Sequence, residues 1–236
     1  MNNEIIHLDN KKREMYRNYI ILSAIFCAGI LFFIEQILMV DYLTKTLSKI
    51  VLFTLSQVIF IKLMRKTTFK EGLNLKIVNR KNIGLGIILG IIAGAILIIA
   101  FLIFKKLINM ETIFLELEAK SKITSSNYLF VTTYFSFGNS FLEEFFFRGF
   151  IFINLYKMGY KKTAYIFSAG LFSLYHIGIF KNWFNMEIFL LCLFGLVVAG
   201  LVFNYVDTKS ENFLNSWAIH IIADVTIVVI GYLYLF

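Results

Sequence analysis

No proline occurs anywhere in the 236 residues, and cysteine and histidine are nearly as scarce, at two and three. Without proline the commonest cause of a sharp helix kink is gone, so long helices are expected to run on. Cys27 and Cys192 each sit inside an apolar run, with the spacing of neither a zinc site nor a disulfide framework, and both read as packing residues. Charge is thin as well: Asp, Glu, Lys and Arg make up 16% of the chain, against 59% hydrophobic residues and a mean hydropathy of +0.77. Soluble globular chains stay near roughly 45–50% apolar, so the composition argues against a soluble fold.

What is present is a series of apolar blocks separated by short charged stretches, near residues 18–40, 44–62, 83–104, 128–156, 163–180, 187–206 and 213–235. A helix of about 20 residues crosses the roughly 30 Å of hydrocarbon, and only helices or closed barrels satisfy their backbone there. The fold class expected is therefore all-α, a polytopic transmembrane bundle of about seven spans (six to eight), forming a single membrane domain over residues 1–236. The block at 128–156 would rise about 43 Å as a helix, so it tilts, extends beyond the bilayer or holds a break near Gly138. Gly84, Gly86, Gly90 and Gly94 are spaced to let another helix approach the third span closely.

The formal charge of +8 does not point to nucleic acid, because the basic residues lie in the connections rather than on one soluble module. Lys11, Lys12, Arg13 and Arg17 precede a block too long for a signal peptide, so residues 1–17 read as a cytoplasmic tail before a retained span. The second connection carries Lys62, Arg65, Lys66, Lys70, Lys76, Arg80 and Lys81 against Glu71, and the fourth carries Lys157, Lys161 and Lys162. The others are close to balanced, among them Asp41 against Lys45 and Lys49. The positive-inside rule then puts the N-terminus in the cytoplasm. Richness in Ile, Lys, Asn and Phe points to an AT-rich bacterial genome, and so to a bacterial plasma membrane.

An ionisable group at the bilayer centre costs roughly 2.5–3.5 kcal/mol on insertion scales, so each one requires a reason. Glu35 lies near the outer end of the first span and can snorkel to the interface. Glu143, Glu144 and Arg148 sit mid-block among phenylalanines. Glu144 and Arg148, four apart, share a helix face and can pair, whereas Glu143 is rotated by about 100° and has no partner in its own helix. Either the triplet is structural, or Arg148 fixes Glu144 while Glu143 projects into a wet cavity as a general base. His176, one turn after Phe172, lies in the fifth span, and His220 lies in the seventh with Asp224 four residues on, where a carboxylate can fix the imidazole tautomer.

Glu143-Glu144-x-x-x-Arg148, Phe172-x-x-x-His176 and His220-x-x-x-Asp224, in that order, resemble the three motifs of the CPBP family, the CAAX-protease and bacteriocin-processing (Abi) intramembrane proteases. The resemblance spans about residue 125 to the C-terminus. It implies a CAAX-protease-like bundle whose acids and histidines meet in a cavity open to one side of the membrane, acting on a peptide, lipidated peptide or membrane-protein substrate. It further implies that Glu143 and His176 activate a water, while His220 and the residue at Asp224 stabilise the oxyanion, with Glu144, Arg148 and Phe172 in support. Prenyl-protein processing members have Asn where this chain has Asp224. An ionised Asp would oppose an oxyanion, so it is expected either to be protonated or to orient His220 from behind. No cofactor is required by the sequence, and two histidines flanking a glutamate on one helix do not occur; Glu143, His176 and His220 could still hold zinc as a His₂Glu set.

Counted from the cytoplasmic ends, Glu143 and His176 lie about 20 Å deep and His220 only about 10–12 Å, so as drawn the three do not align. Besides an intramembrane endopeptidase, the same residues would suit a non-catalytic bacteriocin-immunity or scaffold protein, or a proton-coupled transporter; against the last, no inverted repeat is visible.

Overall fold

The computed structural model describes residues 9–68 and 80–235. Residues 1–8 of the N-terminal tail, and Lys70, Glu71 and Lys76 of the basic second connection, lie outside the described residues. Among those described there are nine helices and no strand.

Each apolar block is helical. Helix α1 covers Asn10–Gln36, so the basic residues from Lys11 to Arg17 are its first turns rather than a separate tail. Its Arg13 donates to the carbonyl of Met158, and the Arg13 and Arg17 guanidinium groups lie 5.7 and 5.0 Å from the Tyr160 ring centroid. Helix α2 covers Tyr42–Val58 and continues as a π-helix over Ile59–Arg65. Asp41 caps it, accepting from Thr44 Oγ1 and Thr44 N, and these two bonds hold the exposed carboxyl below the usual carboxylate range. The cap is present above the ordinary carboxylate range and weakens as acid protonates it. Helix α3 covers Arg80–Phe104, and α4 covers Met110–Ser121, within what the sequence alone reads as a plain connection. Asn109 caps α4 through Thr112 N, a local signal for that helix.

Helix α5 runs over 128–157 as three α segments, Tyr128–Thr133, Ser140–Glu144 and Ile153–Lys157, joined by π-helical turns at Tyr134–Asn139 and Phe145–Phe152. Gly138 thus lies in a wide turn of a continuing helix and not at a break. Side chains supply extra donors to the carbonyls of the second wide turn: Gln57 to Phe145, Ser168 to Phe147, and Asn154 to both Gly149 and Phe150. Such donors let irregular helix persist at membrane depth. Helices α6 (Lys161–Tyr175) and α7 (Ile177–Trp183) bend by 43° at His176; α8 covers Met186–Ser210 and α9 Leu214–Leu235. Among the described residues five helices are individually long and apolar enough to cross a membrane, and six if the bent α6–α7 pair is one span rather than a re-entrant loop. With these spans the protein is an integral membrane bundle.

The core is aromatic. Phe53 of α2 stacks on Phe146 of α5 with centroids 3.8 Å apart, and Phe147 and Phe150 extend the cluster to Phe172, Phe60 and Tyr16. Offset and edge-on aromatic pairs add about 0.5–1.5 kcal/mol each beyond their burial, which suits a bundle where lipid removes most of the hydrophobic drive between helices. Helix α3 meets the bundle chiefly through α9, at the glycine stripe. A Cβ on Gly90 would lie 2.5 Å from Ile222 Cδ1, and one on Gly94 2.8 Å from Thr226 Oγ1, whereas Gly84 faces open space. Gly90→Leu should therefore lower stability by about 1–3 kcal/mol, read as unfolding at lower detergent denaturant, while Gly84→Leu leaves it unchanged.

Both cysteines are free, with Cys27 buried in the core. Glu35 does not simply snorkel: it pairs with Lys45 across the α1–α2 turn at 2.5 Å.

Candidate active site

Helix α5 presents two successive carboxylates to two different partners. Glu144, fully buried, takes Arg148 Nη1 at 3.2 Å and His220 Nδ1 at 2.8 Å on the same oxygen. Arg148 is itself fully buried, its guanidinium 4.0 Å from the Phe172 centroid and 4.9 Å from that of Phe203. Its Nε and Nη2 have no hydrogen-bond partner among the described residues, so the two aromatic faces are what covers them. Gly200 leaves the room: a Cβ there would stand 3.3 Å from Arg148 Nη2 and 3.0 Å from Ala169.

Glu143 faces the other way. Its Oε1 receives Lys49 Nζ and Asn139 Nδ2, each at 3.0 Å, and its Oε2 lies 3.5 Å from His176 Nε2. The expectation that Glu143 lacks a partner in its own helix is thus corrected, since Asn139 sits one turn earlier on the same face. Lys49 corrects a second reading. Counted from sequence as a connection charge balancing Asp41, it is buried in α2 and bonded to Glu143.

His176 occupies the α6–α7 bend. Its backbone N–H turns back to Ser173 instead of reaching Phe172, and the carbonyl of Phe172, left over at the helix end, accepts His176 Nδ1 at 2.7 Å. A carbonyl only accepts, so Nδ1 carries the proton, and in the neutral ring Nε2 presents its lone pair to Glu143 Oε2. The bend thus fixes both tautomer and direction, which an uninterrupted span would not do.

The misalignment expected for His220 does not arise, because its Nδ1 lies 2.8 Å from Glu144 and the α8–α9 turn before it is buried against α5. Asn212, Phe213 and Ser216 are fully buried, and Phe213 packs its ring on Phe141 and Phe145 of α5. The turn satisfies its own polar groups: Asn212 Oδ1 accepts from Leu214 N, Ser210 Oγ donates to Asn212 O, and Asp207 accepts from Ser216 N and Oγ. Helix α9 therefore starts well inside the bundle. His220 and His176 end up against one ring, 5.9 and 4.7 Å from the Phe172 centroid.

Asp224 lies on the opposite side of His220 from that expected of an orienter. Glu144 holds Nδ1, and Asp224 Oδ1 stands 3.6 Å from Nε2. The set is also more enclosed than the open cavity implied by the resemblance: the side chain of His176 is the most exposed, at 12%. Lys49, Asn139 and Asp207 escape a sequence reading for different reasons. Lys49 has a usable signal, a charge inside an apolar block; Asn139 and Asp207 become visible only through their partners.

Residues 125–226 match the sequence family described as type II CAAX prenyl endopeptidase, Rce1-like. This segment is an Rce1-like domain. The Rce1-like domain contains both glutamates, Arg148, Phe172, both histidines and Asp224, and it supports a CAAX-type intramembrane endopeptidase. Lys49 lies outside it. Comparison with curated proteins and with solved structures gave no match.

Proposed function

We propose that this protein hydrolyses a peptide bond of a small peptide, a lipidated peptide or a membrane protein, using a water activated by Glu143 and His176. The observation that carries the reading is the pair Glu143 Oε2 and His176 Nε2, two acceptors 3.5 Å apart with Nδ1 locked on Phe172 O. A water donating to both directs an oxygen lone pair outward. Its oxygen attacks the scissile carbonyl carbon, its proton passes to Glu143 Oε2, and the carbonyl oxygen becomes the oxyanion. His220 in its imidazolium form donates Nε2–H to that oxyanion while Glu144 holds Nδ1. Collapse breaks the C–N bond as Glu143 returns the proton to the leaving nitrogen. Asp224, on the Nε2 side, fits the donor role in its carboxylic-acid form better than the orienter's role, which Glu144 fills.

The donor set suits zinc poorly. The Lys49 ammonium already supplies the positive charge at Glu143, and among the described residues no group of three or more His, Cys, Asp or Glu is disposed to hold a metal ion. No step is routed through a metal. A groove of about 240 Å³ between α1 and α6, lined by Ile25, Gly29, Phe32, Glu35, Leu171 and Tyr175, lies beside the site, the Tyr175 ring 5.4 Å from that of His176, and its apolar residues support an acyl or prenyl chain on the substrate. With the N-terminus in the cytoplasm of a bacterial plasma membrane, as the basic connections favour, membrane-bound peptides are the accessible substrates.

His220→Ala should lower cleavage by about 10²–10³-fold while the protein still accumulates, whereas Asp224→Asn, which offers an amide donor, stays within about tenfold of wild type. Both are measured as product release in proteoliposomes. Cleavage unaffected by His220→Ala contradicts the reading. Protection or partner localisation that persists when cleavage is abolished would instead favour a scaffold or immunity protein.

A further inference from the structure

Among the described residues Lys49 is the one site group supplied from outside the Rce1-like domain, and its surroundings show why it is buried. An ammonium withdrawn from water on an apolar helix has to be compensated by well-placed acceptors. Its Nζ has two on α5, Asn139 Oδ1 at 2.6 Å and Glu143 Oε1 at 3.0 Å, and also meets the Tyr175 side chain of α6. The Asn139 amide completes a triangle by donating to the same Glu143 oxygen, and the Tyr175 ring centroid lies 5.0 Å from Nζ.

The consequence concerns which carboxylate oxygen is left. Two donors hold Oε1, whereas Oε2 has no hydrogen-bond partner among the described residues and faces His176. Clamping one oxygen fixes the plane of the carboxylate as well as its charge. A carboxylate free to rotate about its last torsion would spend much of its time with neither oxygen aimed at Nε2.

Resting on the hydrolytic reading above, we propose that Lys49 is a positioning residue of this site, its ammonium aligned by Asn139 so that Glu143 is held with Oε2 alone turned toward His176 and the attacking water. The Rce1-like domain then carries the reacting groups, and α2 supplies the clamp that orients one of them. The domain separated from α2 would contain every motif residue and lack the orientation.

The full-length protein in proteoliposomes is given a mixed library of farnesylated and unlipidated peptides, with new termini read by mass spectrometry, and kinetics follow on the peptide wild type cleaves fastest. Lys49→Met should lower kcat by about 10²-fold with KM within about threefold, and Lys49→Arg should recover kcat to within about tenfold of wild type. Asn139→Leu, which keeps both charges, should fall between them. Rates are normalised to folded protein, measured by monodispersity and thermal unfolding. A purely structural lysine would change that amount and leave kcat of the folded fraction alone. If Glu143→Gln is inactive while folded Lys49→Met keeps kcat within about twofold of wild type, the role given to Lys49 is overturned and the hydrolytic reading stands. If wild type releases no product, or Glu143→Gln releases as much, both are overturned together.

Discussion

Glu143→Gln lowers kcat by about 10³–10⁴-fold, with substrate binding retained, when product release is followed in proteoliposomes. The amide is nearly the size of the carboxylate and can still accept from Lys49 and Asn139 through one oxygen, so the protein should accumulate and fold. What it cannot do is take a proton from water. Because the one amide oxygen faces Lys49 and Asn139, the N–H₂ stands opposite His176 Nε2, and the two-acceptor arrangement that aligns the water is lost as well. Glu144→Gln is a useful contrast. It weakens the bonds to Arg148 and His220 and so acts through the oxyanion side, with a smaller loss in kcat and a larger loss of stability.

Arg148→Met costs the fold about 3–5 kcal/mol, enough to remove most of the folded protein, because it leaves the buried Glu144 charge with only His220 to compensate it. The same substitution withdraws the flat cation from between Phe172 and Phe203, the rings that also border the two histidines. The double variant Arg148→Met with Glu144→Gln should be more stable than Arg148→Met alone, since the buried Glu144 charge is removed together with its cation. Thermal or detergent unfolding of the four proteins measures the coupling. Additive losses would mean that Glu144 and Arg148 act separately, contrary to their 3.2 Å contact.

The helical bundle is legible from the sequence because apolar blocks of span length have one structural solution in lipid. The Glu144–Arg148 contact is legible for an equally local reason: four-residue spacing on a helix puts two side chains side by side. Three features are not local. The His176 tautomer depends on a helix end that the apolar run conceals. The meeting of His220 with Glu144 depends on a turn buried against Phe141 and Phe145, which a count along the spans does not reveal. Lys49 lies more than ninety residues from Glu143 in the chain, and its pairing reflects how α2 packs on α5. Its sequence signal is its place seven residues inside a helix, where a lysine is a buried charge and not a topology marker.

Asp224 stands apart from the rest. Its four-residue spacing from His220 is the same as that of Glu144 from Arg148, yet its Oδ1 is 3.6 Å from the imidazole and its Oδ2 has no partner among the described residues. The shared helix face brings Asp224 to Nε2, while Glu144 holds the Nδ1 that an orienter would take.

In the proposed mechanism a water held between Glu143 and His176 attacks the peptide carbonyl directly. The most direct measurement is single-turnover cleavage by the purified full-length protein in ¹⁸O-labelled water. The new carboxyl terminus is read by mass spectrometry and Glu143→Gln is run in parallel. Direct attack predicts one labelled oxygen in each new carboxylate from the first turnover, and no product from Glu143→Gln. Equal release of product from both proteins would contradict it.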